Sequence, residues 1–177
     1  MSQKIGPFGL YMGMNVSDVE GDLFEDMGSG CYCFTNLSQG HAAFEEYKVH
    51  FSPLYGLYHV RANGLKIKSD SSGSTLRYSF DQMRSSLSAI YGDHYFFDSF
   101  EEDDYPENWM QLICDKDAYY IAHWEDKFGS QLKNFIKAVM LISEIFDSYS
   151  GRCCLIYRFE NFDKAYNEMQ HLQDNLL

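Results

Sequence analysis

Polar and apolar residues alternate from Glu45 to Ser52, with Tyr47, Val49 and Phe51 on one face and Glu46, Lys48 and His50 on the other. Alternation with a period of two is the pattern of a strand with one buried face. The turn residues Pro53 to Gly56 and the apolar run Leu57 to Ala62 predict the second arm of a hairpin. Cys31 to Leu37 predicts another short strand, and Asn63-Gly64 marks a turn or bulge before Leu65 to Lys68. From about Thr75 to Tyr91 the spacing changes to three and four, through Leu76, Phe80, Met83, Leu87 and Ile90. That is a helix, with Ser74 as candidate N-cap and Gly92 as its stop. Similar spacing after Asn15, through Val16, Val19, Leu23 and Met27 to Gly28, predicts an earlier helix, weakened by Gly21.

In the second half, Trp109 to Cys114 and Ala118 to Trp124 flank Asp115-Lys116-Asp117 and predict a hairpin. Leu132 to Phe146 fits either a helix or a long buried strand. The short loops on both sides, and the turn Ser148 to Gly151 into the strand Arg152 to Phe159, favour the strand. Asp163 to Leu177 predicts a closing helix with Tyr166, Met169, Leu172 and Leu176 on one face. Runs of strands punctuated by separate helices predict an α+β fold. The expected architecture is one domain, 1–177, with an antiparallel sheet of about five to seven strands packed by two or three helices.

Charge narrows the partners. Fourteen Lys and Arg against 26 Asp and Glu leave a net charge of −12. Nucleic-acid binding needs a basic footprint that displaces phosphate counterions, and an anionic membrane needs the same, so neither is expected. No run approaches the roughly 18 apolar residues of a membrane span. The first residues lack the pattern of a signal peptide, so the expected location is the cytoplasm. A basic protein partner remains, for a chain expected to be a monomer or weak dimer.

Little in the sequence supports catalysis. Cys31-x-Cys33, Cys114 and Cys153-Cys154 have neither zinc-site spacing nor the even count of a disulfide framework, and read as reduced core thiols. The six histidines form no metal-binding pair on a helix; His50 and His59 are placed to face each other across the hairpin. Phosphate-cradling glycine loops and the Gly-x-Ser-x-Gly elbow are absent. The chain is therefore expected to be no enzyme, with no cofactor and no bound metal. A small metal-dependent hydrolase using His50, His59 or His123 is the alternative, and a soluble assembly module a third reading.

The sharpest local feature is Asp98-Ser99-Phe100-Glu101-Glu102-Asp103-Asp104-Tyr105-Pro106-Glu107-Asn108-Trp109, with six carboxylates within ten residues. Clustered carboxylates steer a cationic partner, and aromatic side chains supply interface anchors. The candidate partner-binding residues are Asp98, Glu101, Glu102, Asp103, Asp104, Tyr105, Glu107 and Trp109, with Tyr105 and Trp109 as anchors. Asp18, Glu20, Asp22, Glu25 and Asp26 form a second acidic group that extends this field or covers the outer face of the first helix.

The opening Phe8-Gly9-Leu10-Tyr11-Met12-Gly13-Met14-Asn15-Val16-Ser17-Asp18-Val19 resembles the start of small domains of the BamE type, outer-membrane-assembly lipoproteins in which helices pack on an antiparallel sheet. The given sequence shows no lipidated cysteine of that family, so its envelope role is not expected to transfer. The layout of Phe44, Tyr47 to Phe51, Pro53 to Leu57 and Pro106 to Met110 resembles uncharacterised small bacterial proteins with a similar opening. In size, acidity and the acidic loop the chain also resembles immunity proteins of contact-dependent growth inhibition systems. That resemblance implies a protein that neutralises a basic toxin, such as a nuclease, by covering its active site.

Overall fold

A computed structural model describes residues 5–100 and 105–174. Its strands are β1 (Asp22–Gly28), β2 (Cys31–Thr35), β3 (Phe44–Ser52), β4 (Gly56–Gly64), β5 (Ile67–Lys68), β6 (Tyr95–Asp98), β7 (Tyr120–Glu125), β8 (Ile136–Asp147) and β9 (Ser150–Phe159). Its helices are α1 (Ser74–Tyr91), α2 (Trp109–Cys114) and α3 (Phe162–Asp174). The class is α+β, and the nine-stranded antiparallel sheet is larger than the five to seven strands expected. The strand order is β1-β2-β3-β4-β9-β8-β7-β6, with β5 added to β9. Residues 132–146 hold the strand the sequence favoured. Among the described residues no helix is long and apolar enough to cross a membrane.

The chain forms two compact units. One comprises residues up to 63, 132–138, and 156 onward. Its hairpin β3–β4 follows the alternation in the sequence: Tyr47, Val49 and Phe51 on one arm and Tyr58, Val60 and Ala62 on the other are buried. The opening motif is a structural brace. Gly13 N–H donates to the Leu57 carbonyl at 2.9 Å, and Leu57 N–H to the Met14 carbonyl at 2.9 Å. A side chain at Gly56 would collide with the Gly13 carbonyl, its Cβ lying 2.4 Å away, and φ there is +63°. Phe8 packs on Phe44, Tyr47 and Tyr157, with ring centroids 5.5, 4.9 and 6.0 Å apart.

The helix expected from Val16 to Met27 does not form. A single 3-10 turn, Val16–Asp18, ends in extended backbone at Val19. The turn Gly28-Ser29-Gly30, every residue of which has positive φ, then folds β1 back on β2. A helix across this stretch would carry Gly21 in its interior, at a cost of about 1 kcal/mol relative to alanine. α3 starts one residue earlier than expected and buries Ala165 and Met169 beside Phe162 and Tyr58. Tyr166 and Leu172, expected inside, are exposed.

The second unit comprises residues 64–131 and 139–155. α1 buries Leu76, Phe80 and Leu87, as its periodicity requires, while Ile90 is exposed. Its cap comes from earlier in the chain than Ser74. Asp70 accepts from Ser74 N–H at 3.1 Å and Ser74 Oγ–H at 2.6 Å, and Ser69 Oγ accepts from Thr75 N–H at 3.1 Å. Ser74 is already helical and cannot cap itself. Hydroxyl donation from Ser72 and Ser74 holds the Asp70 carboxyl down at about 2. Trp109 to Cys114 is helical rather than a strand, so the expected second hairpin is a helix–turn–strand. A six-residue apolar run carries too little periodicity to tell the two apart.

Candidate protein-binding surface

Of the residues assigned to partner binding, Glu101, Glu102, Asp103 and Asp104 lie outside the described residues. The others divide between an internal brace and the surface. Asp98 ends β6 and accepts from Tyr105 O–H at 2.5 Å and Phe100 N–H at 3.0 Å. Burial and this carboxylate push the Tyr105 phenol up to about 12. The Arg77 guanidinium lies 3.6 Å over the Tyr105 ring. Tyr120 donates to both carboxylate oxygens of Asp81 at 3.0 Å, and Arg84 reaches Asp81 at 3.1 Å. Arg77, Asp81 and Arg84 recur at four and three residues, on one face of α1.

Trp109 is not the exposed anchor expected from sequence: it is fully buried. Its indole stands edge-on to Tyr120, 5.5 Å between ring centroids, and fills the space a side chain at Gly73 would occupy. Tyr105 is half-buried and occupied by Asp98 and Arg77. The apolar surface area of an indole favours the core wherever the backbone leaves room, as Gly73 does here. Only Glu107 among these described residues is fully at the surface.

Exposed aromatics do lie beside the segment, on β6 and β7. Tyr95 pairs with His123 and Phe97 with Ile121, so these four share one face of the sheet. Tyr119, two residues before Ile121, continues that face and is fixed by exchange of hydrogen bonds with Ser99, at 2.8 and 3.0 Å. The rings run in a row: Phe128 to Tyr95 at 5.3 Å, Tyr95 to Phe97 at 6.4 Å and Phe97 to Tyr119 at 5.8 Å. Tyr95, Phe97 and Tyr119 are 49%, 41% and 45% exposed. Phe96, between the first two, points the other way, with Phe80 and Tyr120. Tyr95, Phe96, Phe97 and Asp98 alternate between the two faces, immediately before the acidic run. A contiguous apolar patch of this kind marks an interaction surface more often than it marks ordinary monomer surface.

His50 and His59 do face each other across β3 and β4, with rings 4.9 Å apart. Burial lowers both, His59 to about 3, so it is neutral and weakly basic. Cys31 Sγ lies 3.7 Å from His50 Nε2, yet desolvation raises its pKa and keeps it a thiol. Cys33 and Cys153 are pushed up by burial to about 11 and about 12. None of the five cysteines is in a disulfide; Cys33, Cys153 and Cys154 are core residues, whereas Cys114 is exposed and Cys31 half-buried, against the expectation that all would be internal. Ser88 and His94 meet at 3.1 Å, a pair that no motif or spacing in the sequence marks out. The Ser88 hydroxyl also donates to the Arg84 carbonyl at 2.9 Å, which uses its single proton within the helix. Among the described residues no group of three or more His, Cys, Asp or Glu is placed to hold a metal ion. A cavity of about 510 Å³ lies beside the opening motif, lined by Phe8, Tyr11, Glu20, Ser38 and Gln39 among others. Glu20 there is held by Ser38 Oγ at 2.8 Å. Comparison with family models, curated proteins and solved structures gives no match to this chain.

Proposed function

We propose that this chain is a non-enzymatic binding protein that covers a basic protein partner, in the manner of an immunity protein against a toxin domain. The observation that carries the reading is the exposed row Tyr95, Phe97 and Tyr119, which leads directly into the acidic segment at Asp98. Protein interfaces concentrate binding energy in a few aromatic anchors, while surrounding charge sets approach and register. The row supplies the anchors that Trp109 does not. Glu101, Glu102, Asp103, Asp104 and Glu107 would oppose Arg and Lys of the partner and compete with phosphates for them. A cytoplasmic protein acting on a nuclease would need no cofactor for this.

The test uses the C-terminal domain of the protein encoded by the neighbouring reading frame, which the proposal expects to be basic. Calorimetry at several salt concentrations is expected to give a 1:1 complex whose affinity falls steeply as salt rises, together with loss of the domain's activity. A domain that does not bind, or binds with no response to salt, overturns the proposal.

A further inference from the structure

β1 offers a second surface of a different kind. It ends the strand order, so its outer side pairs with no described strand. All seven residues are exposed, and three are large and apolar: Leu23 at 55%, Phe24 at 70% and Met27 at 46%. An open strand edge presents unpaired N–H and C=O groups to an extended chain of compatible charge, and sheets shield such edges with charged side chains, lysine above all, with proline or with bulges. Here the edge has bulges but neither lysine nor proline. Leu23 and Glu25 pair with the consecutive residues Phe34 and Cys33, and Asp26 and Gly28 with Tyr32 and Cys31, so Phe24 and Met27 are the inserted residues. Inserted residues are released from the ladder with β2, and these two are apolar.

The charge around this edge decides what it can accept. Asp22, Glu25 and Asp26 lie on β1, with Asp18 and Glu20 just before it. Residues 5–47 hold seven carboxylates and no Lys or Arg, and none of these five acids is in an ion pair among the described residues. A second copy of β1 would set carboxylates against carboxylates across the new pair, which is destabilising. An extended segment with alternating Lys or Arg would meet an opposite charge instead.

We propose that β1 binds an extended cationic segment of a partner protein by strand addition. The backbone groups of its outer side would pair with the segment, its carboxylates would select for positive charge, and Leu23, Phe24 and Met27 would cover the apolar side chains between the charges. Main-chain pairing supplies affinity in this mode and the side chains supply selectivity. The proposal does not depend on the aromatic row of β6 and β7.

The test uses three synthetic peptides of about twelve residues: one alternating Lys and Val, one alternating Glu and Val, and the Lys–Val peptide N-methylated on every residue of its central half. Hydrogen exchange is followed by mass spectrometry on the whole protein. The Lys–Val peptide is expected to slow exchange within residues 22–28 at least tenfold, and the other two to leave it unchanged. Asp22→Asn, Glu25→Gln and Asp26→Asn together should abolish the protection. Equal binding by the N-methylated peptide would show charge attraction without strand addition and overturn the proposal. Protection confined to other residues, or no binding, would also overturn it. So would a dimer, seen by sedimentation, that protects residues 22–28 with no peptide present.

Discussion

The phenol of Tyr105 donates a 2.5 Å hydrogen bond to Asp98 and so closes the two ends of the acidic segment on each other. Arg77 stacks on the same ring at 3.6 Å, which ties the closure to α1. The segment is therefore anchored at its base, whatever its outer residues meet.

That hydrogen bond predicts a stability loss in alkali. The phenol titrates at about 12 in the folded chain and at about 10 when unfolded. Its contribution is complete below about pH 10 and is lost as pH rises towards 12. Tyr105→Phe should lower stability at pH 8 and flatten the decline between pH 9 and 11.5. Urea midpoints of both proteins across that range measure it. Tyr120, raised in the same direction by burial and Asp81, keeps the slope from vanishing. An identical slope in the variant would show that Asp98 does not hold the proton.

Gly73 and Trp109 make a second prediction. A Cβ at Gly73 would lie 2.2 Å from the indole, and φ there is +71°. Gly73→Ala combines left-handed strain with overpacking and should cost about 2 to 4 kcal/mol. Gly28 has φ +78° with nothing within 4 Å, so Gly28→Ala should cost only about 1 kcal/mol. Denaturant unfolding of the two variants separates the terms; equal losses would mean that the indole yields freely.

His59 predicts sensitivity to acid. Its folded value is about 3, lowered by burial, against about 6.5 unfolded. The unfolded chain takes the proton first, so stability present above pH 6.5 is lost as pH falls towards 3. His59→Phe should lessen the loss between pH 7 and 4, and the His59 ring signal in NMR should stay constant down to about pH 4. Titration of that signal near 6.5 would contradict its burial as the cause.

Much of this architecture was legible from spacing alone. α1 and the β3–β4 hairpin have one buried face each, and their residues recur with the matching period. β1 was not legible, for a physical reason. The inserted Phe24 and Met27 break its alternation, and Val16, Val19, Leu23 and Met27 then fall at helical spacing by coincidence. The acidic segment was visible as composition, but the burial of Trp109 beside it was not. Whether a tryptophan near a charged loop faces out or in depends on a cleft built elsewhere in the chain, here at Gly73, which pattern cannot show.

The most direct measurement replaces Tyr95, Phe97 and Tyr119 by serine together and follows binding of the basic domain that the proposal expects the neighbouring reading frame to encode. The three side chains are exposed, Tyr95 and Phe97 on a paired strand, so the variant should fold with its unfolding free energy unchanged to within about 1.5 kcal/mol. Loss of interface anchors should weaken the complex at least about 30-fold, mostly through faster dissociation. A folded variant that binds the domain with undiminished affinity would contradict the assignment of this surface.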